Sequence, residues 1–461
     1  MFMGGHVVET IRSGISSSKC FVNDPGLLMY GCLCVIFSVA VWLVLASYLE
    51  MPVSTTHSCV GGMIGMTMVA RGSKCVIWTA KSTEFPYVKG VVAIIVSWFL
   101  SPIVSAGFSF VFFWLLRFAV LRSPNSYSRA RLAFPILLAC TLIVNIFFIV
   151  YKGATFLKLD NTPLSTAFAI SFGIGGGVGI ISYFVAVPYI LRTTEALYEK
   201  RQIEKAERGT KKEAEVVRQP RELPTGVFGA PARLYYAIVD HLTYSMEHKS
   251  EDIIDEDPVV QAIHDNAEKF DEKTELTLRY LQILTACCDS FAHGANDVAN
   301  SIGPFATIVT TYKLGKVSTA KKTDMGNDSY WILGLGAAGI VVGLTFYGYK
   351  ILHALGTKIC KLTPSRGICI ELGAACVIIM GTRLGWPLST THCQVGSTIG
   401  VAMFEGVKGI NWYIVIKTII GWVITLAVVA SCTALLFAQG AFAPMQSYPC
   451  YITGSFAKCE Q

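Results

Sequence analysis

Charged side chains are few in this chain of 461 residues: Asp, Glu, Lys and Arg together make up 15% of it, against about 25% in an ordinary soluble domain. With 53% of residues hydrophobic, a water-soluble globule is excluded and the chain reads as a polytopic membrane protein. The net charge of +7 is spread among loops; without a concentrated basic stripe, nucleic acid is not an expected partner. A signal peptide is also missing, since residues 1–26 contain no basic region followed by an apolar core. They read as a short amphipathic or loop segment. There is no C-x-x-C pair of zinc type, and most of the 15 cysteines lie inside apolar segments (Cys32, Cys34, Cys140, Cys287, Cys288, Cys376), where they act as small hydrophobes. Cys450 and Cys459 can form a disulfide if the polar tail is extracellular, although spacing alone fixes no connectivity. No nucleophile–base pair is evident, so an enzyme is not expected.

Apolar runs are plentiful. Leu27 to Leu49 is long enough, at about 1.5 Å per residue, for a hydrocarbon core of about 30 Å. A shorter piece from Val53 to Ala70 reads as a half-helix. Further spans are Gly90 to Val120 with a kink at Pro102, Pro135 to Tyr151, and Thr166 to Leu191. The second half holds an apolar segment from Leu276 to Val309 interrupted at Gly294, Gly303 and Pro304, then Trp331 to Leu355, Ile368 to Leu384, a short piece from Pro387 to Phe404, and Trp412 to Gln439. This divides the chain into a first transmembrane repeat (1–192), a charged linker (193–275) and a second repeat (276–461). Within the linker Glu195 to Val217 reads as a solvated helix and the remainder as flexible, with a basic front (Lys211, Lys212) and an acidic end (Glu251 to Asp257). Arg117, Arg122, Arg129 and Arg131 form a loop with no acid to balance them, and the positive-inside rule puts that loop and the linker in the cytoplasm. The side of Lys313, Lys316, Lys321 and Lys322 is left open.

An internal repeat fixes attention on two short segments. Pro52-Val53-Ser54-Thr55-Thr56-His57 reappears as Pro387-Leu388-Ser389-Thr390-Thr391-His392, and Val60, Gly61, Ile64 and Gly65 pair with Val395, Gly396, Ile399 and Gly400, all at a separation of 335 positions. Beyond them, Gly72-x-Lys74-x-x-x-Trp78 matches Gly406-x-Lys408-x-x-x-Trp412 at a separation of 334. Paired short segments in corresponding halves point to a transporter's mid-membrane site. Proline in the first helical turn presets φ and gives up an amide that has no partner there anyway. Hydroxyls and free amides at the positive end of a helix dipole then make an anion cradle. Ser54, Thr55 and Thr56 with Ser389, Thr390 and Thr391 are thus expected to surround a tetrahedral oxyanion. The competing reading, two ordinary helix caps, would suit one copy better than two.

The stretch Asp289 to Pro304 carries two carboxylates, His293 and two asparagines inside an apolar segment. A charge at bilayer mid-depth costs at least about 3 kcal/mol, so such groups line a polar cavity or hold an ion. A carboxylate beside an anion is repulsive unless a cation lies between them. Asp297, with Asn296 and Asn300, offers hard oxygen ligands for that cation. Glu371 is a second buried acid with the same logic, or a salt-bridged acid. His293 and Asp297 share a helix face as metal ligands can, but no third ligand is evident. His293 could equally sense protons or cap a helix; His57 and His392 follow the hydroxyl turns and can simply pack there.

The stretch Gly294-Ala295-Asn296-Asp297-Val298-Ala299-Asn300, together with Pro-x-Ser-Thr-Thr-His in both halves, resembles the inorganic phosphate transporter family of the PiT type, which includes the sodium–phosphate symporters. The resemblance implies an all-α bundle of two inverted-topology repeats with discontinuous helices, often a homodimer, importing phosphate with Na⁺ or H⁺; which membrane it crosses is left open, with the plasma membrane the default. It places phosphate at Asn296, Asp297, Ser389, Thr390, Thr391, Ser54, Thr55 and Thr56, and coupling Na⁺ at Asp297, Asn300 and Glu371. No cofactor beyond the coupling ion is expected. One departure stands out. The family carries the Gly-Ala-Asn-Asp signature twice and the first copy is absent here: 90 residues separate Asp297 from Pro387, whereas only 51 precede Pro52. An N-terminal truncation is the expectation this raises. The alternatives are a carrier of sulfate or another oxyanion, or a membrane receptor that does not transport.

Overall fold

A backbone in lipid must satisfy its own N–H and C=O groups, so apolar runs of membrane length become helices. The computed structural model describes residues 5–81, 87–151, 159, 162–210, 257–318 and 330–443. Among them lie α1 (Gly5–Ser13), α2 (Pro25–Tyr48), α3 (Thr55–Arg71), α4 (Val91–Leu116), α5 (Ser126–Val150), α6 (Leu164–Phe184) and α7 (Ala186–Thr210) in the first half. The second half has α8 (Pro258–Asn266), α9 (Glu272–Leu314), α10 (Tyr330–Gly356), α11 (Pro364–Arg383), α12 (Thr390–Ala402) and α13 (Trp412–Phe442). Seven of the described helices are long and apolar enough to cross a membrane.

The two short pieces are half-helices. At 17 and 13 residues, α3 and α12 extend about 25 and 20 Å, short of the hydrocarbon thickness. Each folds back on its predecessor, making hairpins α2–α3 and α11–α12. The hairpins enter from opposite faces. The α2–α3 hairpin opens where Asp24 pairs with Arg71 and where Cys20 is disulfide-bonded to Cys75. The α11–α12 hairpin opens where Arg366 of α11 pairs with Glu405 just beyond α12. The third helix of each trio is exchanged: α3 packs on α13, and α12 on α4. The repeated glycines permit this. A Cβ at Gly61 or Gly65 would meet Leu426 O at 2.8 Å or Ala430 O at 2.2 Å, and one at Gly396 or Gly400 would meet Pro102 O or Ala106 O, each at 2.3 Å. Two units result, α2–α3–α13 and α4–α11–α12, related by a pseudo-dyad. The later repeat match also has a structural cause: Gly72 and Gly406 have φ of 82° and 75°, and the Trp78 and Trp412 indoles donate to Ser73 O and Val407 O.

Several expectations are corrected. The segment 276–309 is no broken helix but part of the single 43-residue α9. Burial of Gly303 against Ile11 and of Val298 and Ile302 against Gly336 holds the backbone helical through Pro304, and Thr307 Oγ1 donates to Gly303 O. Pro135 lies within α5, which starts nine residues earlier at Ser126. The run from Thr166 to Leu191 breaks at Val185, where α6 hands over to α7; Pro188 in the first turn of α7 removes an amide with no helical partner there. The linker's last part is ordered rather than flexible. Asp257 caps α8, and Glu268 binds Arg117 Nη2 at 2.6 Å and Arg122 Nε at 2.8 Å, so those two arginines do have an acid. It comes from about 150 positions away in the chain, beyond any local reading. Lys313 and Lys316 fall at the far end of α9 from Glu272, on the disulfide-bonded face. Lys211, Lys212, residues 251–256, Lys321, Lys322, Cys450 and Cys459 lie outside the described residues.

Candidate functional site

The tips of the two hairpins meet. Ser54 and Ser389 are the N-caps of α3 and α12, each accepting the N–H three residues on, from His57 and His392, at 3.3 Å. Proline is therefore not in the first helical turn as expected: Pro52 and Pro387 sit two residues before the caps. A serine hydroxyl that satisfies an N3 amide makes the better helix boundary, and the prolines shape the hairpin tips. The capped turns leave the amides of Thr55, Thr56, Thr390 and Thr391 without intrahelical acceptors. Ser389 Oγ donates to Ser54 Oγ at 2.9 Å, on the pseudo-dyad. Thr56 Oγ1 donates across it to Leu388 O at 2.9 Å, and Thr391 Oγ1 returns the contact to Val53 O at 3.4 Å.

Asp297, half-buried in the middle of α9, enters this junction from one side. Thr390 Oγ1 donates to its Oδ2 at 2.8 Å and Thr55 Oγ1 to its Oδ1 at 3.3 Å. One carboxylate thus spans the N-termini of both half-helices. Asn300, one turn on, directs its amide nitrogen to Thr55, Thr56 and Asp297 at 3.2, 3.0 and 3.2 Å. Among the described residues its buried oxygen has no hydrogen-bond partner, and neither has that of Asn296. Unpaired amide oxygens beside a carboxylate are what a hard cation such as Na⁺ requires.

Of the residues singled out in the sequence, Ser54, Thr55, Thr56, Ser389, Thr390, Thr391, Asp297 and Asn300 converge. Asn296 turns away from the hydroxyl turns, donating to Thr382 Oγ1 at 3.0 Å and Trp386 O at 3.4 Å. Glu371 lies on a different level, taking the hydroxyl of Thr285, about 18 Å along α9 from Asp297 at 1.5 Å per residue. His293 pairs with Asp289, Nδ1 to Oδ1 at 3.2 Å. His57 and His392 lie behind the caps, in contact with Trp98 and Trp422. From the sequence Asp289 stood only as one of two carboxylates lining a cavity or holding an ion, and Thr285 had no role. The available signal was periodicity: Thr285, Asp289, His293 and Asp297 recur every four residues and so share one face of α9. The two tryptophans left no such trace, since nothing local links them to the hydroxyl turns.

Comparison with known proteins agrees with this architecture. The model of the phosphate transporter family matches residues 1–433. The phosphate-repressible phosphate permease of Neurospora crassa is 29% identical over 97% of this chain and 89% of its own length. A putative phosphate permease of Pyrococcus furiosus is 31% identical over 95% of this chain and 83% of its own; the human sodium-dependent phosphate transporter 1 is 24% identical over 95% and 88%. A solved structure of a sodium-dependent phosphate transporter superposes with a TM-score of 0.67 at 27% identity, covering 95% of this chain and 86% of that one. The protein is an integral membrane protein, and the chain belongs to the phosphate transporter family.

Proposed function

We propose that this protein imports inorganic phosphate across the plasma membrane in symport with Na⁺, holding the anion between the first turns of α3 and α12. The observation that carries the reading is the position of Asp297, whose carboxylate accepts from Thr55 and Thr390 at both half-helix N-termini. Those hydroxyls and the free amides beside them are the donors an oxyanion would use. An anion sharing them meets a negative charge, so a cation must accompany it, and the amide oxygen of Asn300, whose nitrogen is bonded to Asp297, would help hold one. Sodium is favoured over the proton because hard, neutral oxygen donors suit it and because the human relative and the solved structure are named as sodium-dependent. His293 on α9 and Glu371, which reaches from α11 to Thr285 of the same α9 face, lie on the linker side, where they would meet the cation on its way from the centre.

The linker face is cytoplasmic in this reading, on two grounds. Arg117, Arg122, Arg129 and Arg131 obey the positive-inside rule there, and the Cys20–Cys75 disulfide lies on the opposite face, as an oxidising exterior requires. The test is phosphate uptake into proteoliposomes with external Na⁺ replaced by choline at two pH values. Uptake lost in choline at both values is expected. Uptake that survives in choline and rises at the acid value would move the coupling to H⁺, and sulfate displacing labelled phosphate with equal potency would widen the substrate to other oxyanions.

A further inference from the structure

Directly behind the hydroxyl turns, four rings from both units meet on the pseudo-dyad. His57 and Trp98 have ring centroids 3.7 Å apart, His392 and Trp422 3.5 Å, and the two imidazoles meet edge-on at 4.7 Å. All four side chains are more than nine-tenths buried. Their bonding divides in a regular way. Each imidazole is hydrogen-bonded within its own unit or to the carbonyl facing it: His57 Nδ1 to Trp422 O at 3.2 Å in α2–α3–α13, and His392 Nδ1 to Trp98 O at 2.8 Å in α4–α11–α12. Because both partners are carbonyls, each Nδ1 carries the proton. Each imidazole face, by contrast, lies against the other unit's tryptophan. Hydrogen bonds therefore tie each ring to its own half, and ring faces keep the halves apart.

We propose that this four-ring layer is a spacer that sets the distance between the two half-helix N-termini, and so the affinity for phosphate and its discrimination from larger tetrahedral oxyanions. His57 and His392 are positioning residues here, not anion ligands. Their backbone N–H groups are held by Ser54 and Ser389, and those two hydroxyls are bonded to each other. Any change in the thickness of the ring layer therefore passes within a single helical turn to the hydroxyls of Thr55 and Thr390. A bland packing role would not make the two repeats equivalent in function, whereas a spacer on a dyad must. Among the described residues the Nε2 atoms of both imidazoles and Nε1 of Trp98 have no hydrogen-bond partner, and Trp422 Nε1 donates to Pro52 O of its own unit at 3.3 Å, so within the ring layer contact across the dyad is made by faces and edges, while the polar bonds across it lie at the hydroxyl turns.

The inference rests on phosphate binding at the hydroxyl turns, and the experiment separates the two ideas. Full-length protein in proteoliposomes is assayed for phosphate KM, for Vmax per folded transporter, and for arsenate inhibition relative to phosphate KM. His57→Asn and His392→Asn keep a donor for the carbonyl but remove the ring; Trp98→Phe and Trp422→Phe thin the layer and are mild enough to fold. Each variant is expected to raise phosphate KM by about tenfold, the scale of loss when donors shift by a fraction of an ångström. Arsenate discrimination should narrow, Vmax should change little, and dyad mates should shift alike. Unchanged KM and unchanged discrimination in the Trp→Phe pair overturn the proposal, whatever happens to Vmax or yield. Thr390→Val serves as the control. If it too leaves KM unchanged, the phosphate site itself is misplaced; if it raises KM while the ring variants do not, the spacer alone is refuted.

Discussion

Replacing Asp297 with Asn removes one charge and keeps the shape of the side chain. In the native site the carboxylate is bonded to Thr390 at 2.8 Å and to Thr55 at 3.3 Å. A phosphate sharing those hydroxyls places its nearest charge about 4 Å away, where two like unit charges repel by roughly 4 kcal/mol at an effective dielectric constant of about 20. At 1.4 kcal/mol per factor of ten that is close to 10³ in affinity. The wild-type protein is thus expected to bind phosphate weakly without Na⁺ and tightly with it. In Asp297→Asn the repulsion is gone from the start. Phosphate affinity in the absence of Na⁺ should rise by up to about 10³-fold relative to wild type, less whatever the weaker hydroxyl–amide contacts forfeit. Accumulation driven by a Na⁺ gradient should disappear. Equilibrium binding of labelled phosphate with and without Na⁺, followed by uptake into vesicles with an imposed Na⁺ gradient, measures both. A variant that keeps the wild-type Na⁺ activation in both assays refutes the assignment of Asp297 as the charge that makes a cation necessary.

Three further outcomes concern the scaffold. Cys20→Ser opens a loop of 55 positions, which on the chain-entropy account costs about 4 kcal/mol of stability; a thermal midpoint equal to wild type would contradict a formed bridge. At Glu268, burial pushes the carboxyl up, but the hydrogen bonds and charges of Arg122 and Arg117 outweigh it and hold the group below the usual range. Its folded-state pKa is depressed, so its stabilisation is complete above the unfolded value of about 4.3 and is lost as pH falls through the folded one. The gap in thermal midpoint between wild type and Glu268→Gln should therefore close on acidification, and a gap indifferent to pH would count against the pair. Gly396→Ala drives a Cβ to 2.3 Å from Pro102 O, whereas Gly107→Ala meets nothing within 4 Å; folded protein in the membrane should fall sharply for the first and hold for the second.

Much of the site was legible because its chemistry is local. A serine N-cap followed by two threonines occupies consecutive positions, and the constant separation of the two copies shows as readily in the sequence as in space. The carboxylate that joins them was legible too, since an Asp flanked by asparagines inside an apolar run points to little besides an ion or solute site. What stayed hidden depends on distance along the chain. The acid that balances Arg117 and Arg122 comes from the far end of the linker. Cys20 and Cys75 pair across a whole hairpin, and the spacing of fifteen cysteines does not choose among pairings. The continuity of α9 through Gly303 and Pro304 was misread for a different reason: propensity is a weak prior, and the packing of α1 and α10 on that turn overrides it. Asn296 and Glu371 were misplaced relative to the hydroxyls because composition says which residues are polar but not which way they turn.

Exchange of α4 and α13 between the repeats explains why the hydroxyl turns end up facing one another. A half-helix alone would bury its N-terminus against its own hairpin. Packed instead on the third helix of the other repeat's trio, α4 for α12 and α13 for α3, through the glycine contacts with Pro102 and Ala106 on one side and Leu426 and Ala430 on the other, each N-terminus is pushed toward the dyad and meets its mate. Two helix N-termini together present about one unit of positive charge, and bringing them to within a Ser–Ser hydrogen bond is unfavourable unless a negative group lies between. Asp297 is that group, and its single charge about cancels theirs. On the proposed binding mode an arriving phosphate then enters a site that is already near neutrality. If phosphate binds there as proposed, every negative charge it brings must be matched by a cation, and coupling would follow from the resting balance rather than from an added device.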